Sequence, residues 1–517
     1  MAKIFPSINN VNVSEKNLQT QIYGQRLYKD QTLYEYLLEF LLLFSSKKGG
    51  SSYKSADEGF SFFIPSDGGA LYYYPSPKIG LKRFIFFNHS DQEKRFEVDK
   101  EALDLHRDNI RRLFNISNNE YNEEFVLNVL QDLFYGFNAI TGKRSWFAQS
   151  LIPLSPEMIF CEAIGNKNDR TKLYDELKKA GDISNDFNHI KVDQKFNFDQ
   201  HAFMARGGEV YYLHVAQGLQ LMDSTNTDSL VTGLKNIITS VPQLSDLASF
   251  IQENWETVVD LHDQSDEEEI ANFHYVKKRV EFIPTAYEKR ACYTVEELTN
   301  LINCELDPFE KIELTGSLIA LQIIRMMSMR ATEVLNKGDS QEWLIDLTKN
   351  SKGAIRKLAV QSYEQLELNI YSAVHQADID EYLKKNIKMT EVKALDAAAK
   401  DTNLLVRKIA KATGFLIPAK GTNMRFSLNE DLVKVLVLSL VKPGERVLFS
   451  TFLSKCYEHF KIIIGLKEAA IHYAKKDMTH LIDFDENEKI FLQLLKDCGF
   501  LRDLSDATSI VENPYKG

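Results

Sequence analysis

Cysteine is scarce in this chain, with five residues among 517. Cys161, Cys292, Cys304, Cys456 and Cys498 are widely scattered, and none belongs to a CxxC pair. The odd number and the spacing argue against a disulfide framework and against a zinc ribbon. They suit a reducing cytoplasm, where such thiols act as small buried apolar groups. Long hydrophobic runs are also missing. The first residues, MAKIFPSINNVNVSEKN, have no signal-peptide core. The most apolar early run, LYEYLLEFLLLF at 33–44, is too short to span a bilayer and carries Glu35 and Glu39. It reads as a buried core helix. A cytoplasmic protein with no membrane segment is expected.

Catalytic signatures are absent too. There is no GxSxG, no catalytic Cys–His context and no dinucleotide fingerprint. No strand carries the Asp and Glu-x-Lys of a restriction-type nuclease. GFNAITGKRSW, from Gly136, has five residues between its glycines where a phosphate loop needs four. Arg144 follows Lys143 where that loop needs Ser or Thr for Mg²⁺. ARGGEVYYLHV, from Ala205, would place Arg206, Gly207 and Gly208 at a helix start, where free N–H groups hold anions. The alternative is a glycine turn into a packed helix. His201, Glu209 and His214 lack the HExxH spacing, so no metal is expected, and no cofactor. Dispersed catalytic residues leave no motif, so a hydrolase of unrecognised type, acting on nucleic acid or nucleotide, is the second alternative.

What is present is ordinary globular material. Apolar residues make up 44% and charged residues 26%, enough for a sizeable core. The length suggests two to four domains. The net charge of −11 argues against a nonspecific nucleic-acid coat but not against a local basic face. Helical periodicity is expected from Gln31 to Phe44 with Asp30 as cap, over 122–137, and over 309–335 as a central helix with Met326, Met327 and Met329 as core filling. Ser155, Pro156 and Gly165 mark a helix over 154–165. The aromatic run at 58–88, broken by PSDGG and PSPKIG, predicts two or three antiparallel strands. Its Tyr72, Tyr73, Tyr74, Lys78, Lys82, Arg83, Phe84, Phe86 and Phe87 would either stack bases or form a half-buried sheet.

NSKGAIRKLAVQS (350–362) echoes DTNLLVRKIAKAT (401–413). The second copy, with Asp401, Val406, Arg407 and Ala410, resembles the second helix of a HEAT-type repeat. The other explanation is two similar amphipathic helices. Residues 424–517 resemble a winged helix in order: a helix at 427–444, a strand at 446–449, helices at 450–460, 465–477 and 485–499, then FLRDL and TSIVE around Ser505-Asp506. The helix before the wing carries Asp485, Glu486, Glu488 and Asp497 against Lys489 and Lys496. Phosphates would repel its entry end, so a groove-reading mode is disfavoured. Protein contact, or DNA contact through Lys467, Lys475 and Lys476, remains.

The strongest basic stretch is 384–425, opposed only by Glu391, Asp396 and Asp401. On a helix over 400–413, Lys400, Arg407 and Lys411 share a face with Lys408 beside them, and Leu405, Val406, Ile409 and Ala410 oppose it. The nucleic-acid-binding candidates are Lys400, Arg407, Lys408, Lys411, Lys420 and Arg425. A solvated face, or an acidic protein partner, are the alternatives. The fold expected is mainly α (α+β): multi-helical, with a small N-terminal antiparallel β-sheet and a C-terminal winged-helix-like domain. The expected divisions are 1–115, 116–340, 341–423 and 424–517. The function expected is a non-enzymatic DNA-associated subunit of a multi-protein complex in prokaryotic genome defence (antiviral) or DNA processing. A protein-only scaffold is the first alternative.

Overall fold

The computed structural model describes residues 4–6, 17–24, 31–50, 59–65, 70–75, 78–90, 97–114, 122–140, 145–160, 164–165, 196–197, 207–258, 278–280, 282–338, 340–348, 353–385, 389–473, 481–503 and 509–517. The described residues are mainly helical, 65% helix in 17 helices, with several small sheets. In chain order, β1 (Ile4–Phe5) and α1 (Leu18–Tyr23) precede α2 (Leu33–Ser45), β2 (Lys47–Gly49), β3 (Tyr72–Tyr74), α3 (Ile79–Phe86), α4 (Glu97–Leu113) and α5 (Glu123–Tyr135). Next come β4 (Ile164–Gly165), β5 (Phe196–Asn197), α6 (Gly207–Leu219), α7 (Ser224–Ile238), α8 (Pro242–Val258), β6 (Lys278–Arg279), β7 (Ile283–Pro284), α9 (Glu288–Ile302) and α10 (Pro308–Val334). Then follow β8 (Trp343–Leu344), α11 (Ala354–Val374), α12 (Asp380–Lys385), α13 (Glu391–Ala412), β9 (Leu416–Ile417), β10 (Arg425–Phe426) and α14 (Glu430–Leu440). The last elements are β11 (Arg446–Leu448), α15 (Phe449–Phe460), β12 (Ile462–Ile463), α16 (Leu466–Glu468), α17 (Leu481–Asp497), β13 (Leu501–Asp503) and β14 (Ser509–Glu512).

The centre of the molecule is α10. Asp307 caps it by accepting from Phe309 N at 2.9 Å, and Pro308 opens it. It is apolar and long enough to cross a membrane, but 89% of its apolar window is buried. The helices α1, α2, α6, α7, α9, α11, α13 and α14 cover it. Met326, Met327 and Met329 are core residues, as the sequence predicts. Helix α2 starts at Thr32, whose hydroxyl and N–H both donate to the Glu35 carboxylate. Thr32, not Asp30, is therefore the cap, and Asp30 lies outside the described residues. Its far end is closed by buried Lys48, whose ammonium donates to the carbonyls of Leu43, Phe44 and Ser46 at 2.7–3.0 Å.

Two expected elements are different. Among the described residues of the aromatic run only β3 is a strand, in the antiparallel sheet β2-β3-β6. The expected strands over 79–86 are the helix α3, every residue of which is buried. A helix buried all round shows no polar stripe, so its period is invisible. At Gly80 an added Cβ would lie 2.2 Å from the Trp255 ring of α8, so only glycine permits this approach. Among the described residues of the expected helix over 154–165 there is one 3₁₀ turn, Pro156–Met158, and Ile164–Gly165 is the strand β4. A cap and a proline start a turn, but no apolar stripe propagates it.

Sequence-distant segments are joined by strand pairs. β3 meets β6 across the expected division at 115, and the parallel pair β8–β12 crosses the one at 423. One hydrophobic core runs from Ile22 to Val511. In the C-terminal part, β11, β14 and β13 form an antiparallel sheet in that order, with Leu501 opposite Val511. The expected hairpin is present, and its turn at 505–506 lies outside the described residues. Buried Asn487 of α17 ties this part to β8 and β12. It donates to Ile345 O at 3.1 Å and Ile464 O at 2.9 Å, and accepts from Leu347 N at 2.8 Å.

Candidate nucleic-acid interface

The basic stretch at 384–425 folds onto two helices and a hairpin. Helix α13 has Glu391 in its first turn and Lys411 in its last, the arrangement that complements a helix dipole. Leu405, Val406, Ile409 and Ala410 are buried, as expected, and this turns Lys400 and Lys408 to solvent. Lys411 is half-buried. Among the described residues no ion pair holds Lys400, Lys408 or Lys411.

Helix α11 lies antiparallel beside α13. Arg407 Nε donates to Glu367 Oε1 at 3.0 Å and to the Tyr363 hydroxyl at 3.3 Å. Asn403 donates to Glu367 O at 3.0 Å. Further on, Tyr371 donates to Asp396, and His375 lies 3.4 Å from the same carboxylate. Rising numbers on α11 thus meet falling numbers on α13. Burial, then the Glu367 contact, push the Tyr363 hydroxyl up, so it stays protonated and donates to Glu367 as well. Arg407 is therefore neutralised by a fixed carboxylate, unlike the lysines around it.

After α13 the chain turns at Gly414, which has φ +78° and would put a Cβ 2.4 Å from the Asn429 amide. β9 and β10 then pair as Ile417 with Arg425 and Leu416 with Phe426. Exposed Lys420 sits in the loop between them. Arg425 does not join the surface. It is buried, and its Nε donates to Asp346 Oδ2 at 2.6 Å. Asp346 also accepts from Thr348 N at 2.9 Å. A buried, paired guanidinium is closed to phosphate, so Arg425 is corrected from candidate contact to core ion pair. Its partner lies 79 residues away and leaves no local signal.

Two cations were missed: Arg356, half-buried, and Lys357, exposed, in the first turn of α11. The echo between 350–362 and 401–413 contained them, since it aligns Arg356-Lys357 with Arg407-Lys408. An antiparallel pair brings the start of α11 toward the end of α13.

The other candidate sites take structural roles. Lys82 and Arg83 are buried. Lys82 donates to Phe147 O at 2.7 Å, and the Arg83 guanidinium faces the Trp146 and Trp255 rings at 4.9 and 4.5 Å and pairs with buried Asp99. Tyr73, Tyr74, Phe84, Phe86 and Phe87 are core and Tyr72 is half-buried, so these rings form part of the packing and not a base-stacking platform. Gly207 and Gly208 let α6 press against α2. A Cβ on Gly207 would lie 1.9 Å from Tyr36, and one on Gly208 would lie 2.8 Å from the backbone of Phe40. That is close helix packing and not an anion cradle. Arg206, His201 and residues 141–144 lie outside the described residues. Glu209 accepts from Tyr73 at 3.3 Å, and His214 contacts Thr294 at 2.8 Å. No metal-binding cluster occurs among the described residues.

In the C-terminal sheet, Arg446 and Arg502 both pair with Glu512. On α17, Lys489 pairs with Asp485 at 2.6 Å. Comparison with protein-family models, with curated proteins and with solved structures finds no match to this chain.

Proposed function

We propose that this protein is a DNA-associated, non-enzymatic subunit of a multi-protein complex, in prokaryotic genome defence or DNA processing. One observation carries the reading: Lys400, Lys408 and Lys411 share a solvent-facing side of α13 with no ion pair among the described residues. Cations held outward on a rigid helix suit a phosphate backbone, which is bound without base contacts. Residues 424–517 are proposed as a winged-helix-like module. Helix α14, strand β11, helices α15 and α17 and the β13–β14 hairpin supply its order. It would contact protein and not a DNA groove, because Glu512 holds both Arg446 and Arg502.

The protein-only scaffold has one observation in its favour. Leu404, 43% exposed, sits among the lysines of α13, and an acidic protein segment with an apolar anchor would fit that mixture. A salt series of fluorescence anisotropy with labelled duplex DNA separates the two. DNA association predicts binding that weakens steeply with salt and is lost in Lys400→Glu, Lys408→Glu, Lys411→Glu. No binding by the natural protein at low salt ends the DNA reading.

A further inference from the structure

We infer that the polyanion surface lies across the shared end of α11 and α13, made by Arg356, Lys357, Lys408, Lys411 and Lys420, with Arg407 withheld from it by Glu367. This rests on the DNA-associated reading and sharpens it from one helix face to a two-helix footprint.

Charge is segregated along this helix pair. From Gly353 to Tyr363 on α11, and from Thr402 through the hairpin to Arg425, there is no Asp or Glu. The acids Glu364, Glu367, Asp396 and Asp401 all lie toward the middle or the other end. The antiparallel packing, fixed by Arg407 against Tyr363 and Glu367 and by Tyr371 against Asp396, puts the two acid-free stretches at one end. Arg356 precedes Tyr363 by about two turns and shares its side of α11, the side that meets α13. Lys357, Lys408 and Lys420 are exposed, and Lys411 is half-exposed. Arg407 is the exception inside this zone. Its Nε and Nη2 both point to Glu367 Oε1, at 3.0 and 2.5 Å, and that oxygen is also held by Tyr363. A phosphate would have to displace a carboxylate already oriented by two donors. Lys400 stands about two turns back from Arg407, near Asp396 and Asp401, and contributes less.

The partner that fits is a sequence-neutral phosphodiester backbone, because the surface offers ammonium groups and one guanidinium. The test uses the full chain and a fluorescein-labelled random-sequence DNA duplex, titrated across a salt series. Each of two double variants, Arg356→Gln with Lys357→Gln and Lys408→Gln with Lys411→Gln, is expected to flatten the log–log salt slope by about 1.8. Arg407→Gln should leave it unchanged. Glu367→Gln keeps an acceptor for Tyr363 and frees Arg407, so it should steepen the slope by about 0.9. Binding that ignores Arg356 and Lys357, or that depends on Arg407 as much as on Lys408 and Lys411, overturns this footprint and leaves DNA association standing. Absence of binding by the natural protein overturns both.

Discussion

Two segments of this chain are rich in cations and have opposite fates. At 78–87, Lys82 and Arg83 stand among aromatics and lie wholly inside, each answered by carbonyls, rings or a carboxylate. At 400–420, Lys400, Lys408 and Lys420 face water. Cation content alone does not separate them. What does is the pattern around the cations. In α13 the apolar residues occupy one side and leave the other to lysine. In α3 apolar residues surround the cations, so the charges are enclosed and must be paired.

This contrast gives a ranked set of expectations. The largest effect belongs to the enclosed cations. Arg83→Met removes the guanidinium that pairs with buried Asp99, with an expected loss of about 3–5 kcal/mol in denaturant unfolding. Arg425→Met should cost about as much by removing the guanidinium from buried Asp346, although the sequence places Arg425 among the surface cations. A loss under ~1 kcal/mol at either position would mean the pair is not enclosed.

Next comes acid. Burial, together with the Arg325 charge, holds the His214 imidazole down at about 3. Burial, opposed by the bond to Ile251 O and reinforced by Arg83 and Arg107, holds His106 at about 3. Both stay neutral in the fold, whereas the unfolded chain takes protons near 6.5. The unfolded state therefore gains more protons below that value, and stability falls with falling pH by about 1.4 kcal/mol per unit for each histidine. Glu297 acts later. Burial would raise its carboxyl, but Arg325 and His459 outweigh burial and hold it below 4.5. Its contribution is present above 4.5 and disappears as pH drops through the lower folded value. Unfolding curves at pH 7, 6, 5 and 4 follow this directly, and a flat profile from pH 7 to 5 contradicts it.

A middle-sized effect is expected at the close of α2. Lys48→Met leaves three carbonyls without their ammonium, a loss of about 1–3 kcal/mol readable as a lower denaturant midpoint. The smallest stability effect belongs to the exposed lysines. Lys408→Gln should change unfolding free energy by less than ~0.5 kcal/mol while weakening DNA binding. A variant that unfolds easily would place Lys408 in the fold and not on the interface.

The sequence made some of this legible. Periodic apolar residues showed α2, α5, α10 and α13, because each has a long apolar stripe or run with a definite start. The β13–β14 hairpin was legible from two short apolar runs around a polar turn. Helix α3 was not, since a helix enclosed on every side looks like a strand-forming run. The pairing of β3 with β6 was not, since the two lie about two hundred residues apart. At the candidate interface, the lysines were legible from one helix. The fates of Arg407 and Arg425 were not, because Glu367 and Asp346 reach them from 40 and 79 residues away. Arg356 and Lys357 were visible as an echo, but only antiparallel packing gives that echo a place.

The most direct measurement is lysine labelling with an amine-reactive reagent, read by mass spectrometry, with and without duplex DNA. Lys357, Lys408, Lys411 and Lys420 are expected to label readily alone and to be protected by DNA. Lys48 and Lys82 should stay unlabelled in both. Equal labelling of the four surface lysines with and without a saturating duplex, or ready labelling of Lys82, would contradict the division between enclosed and presented cations.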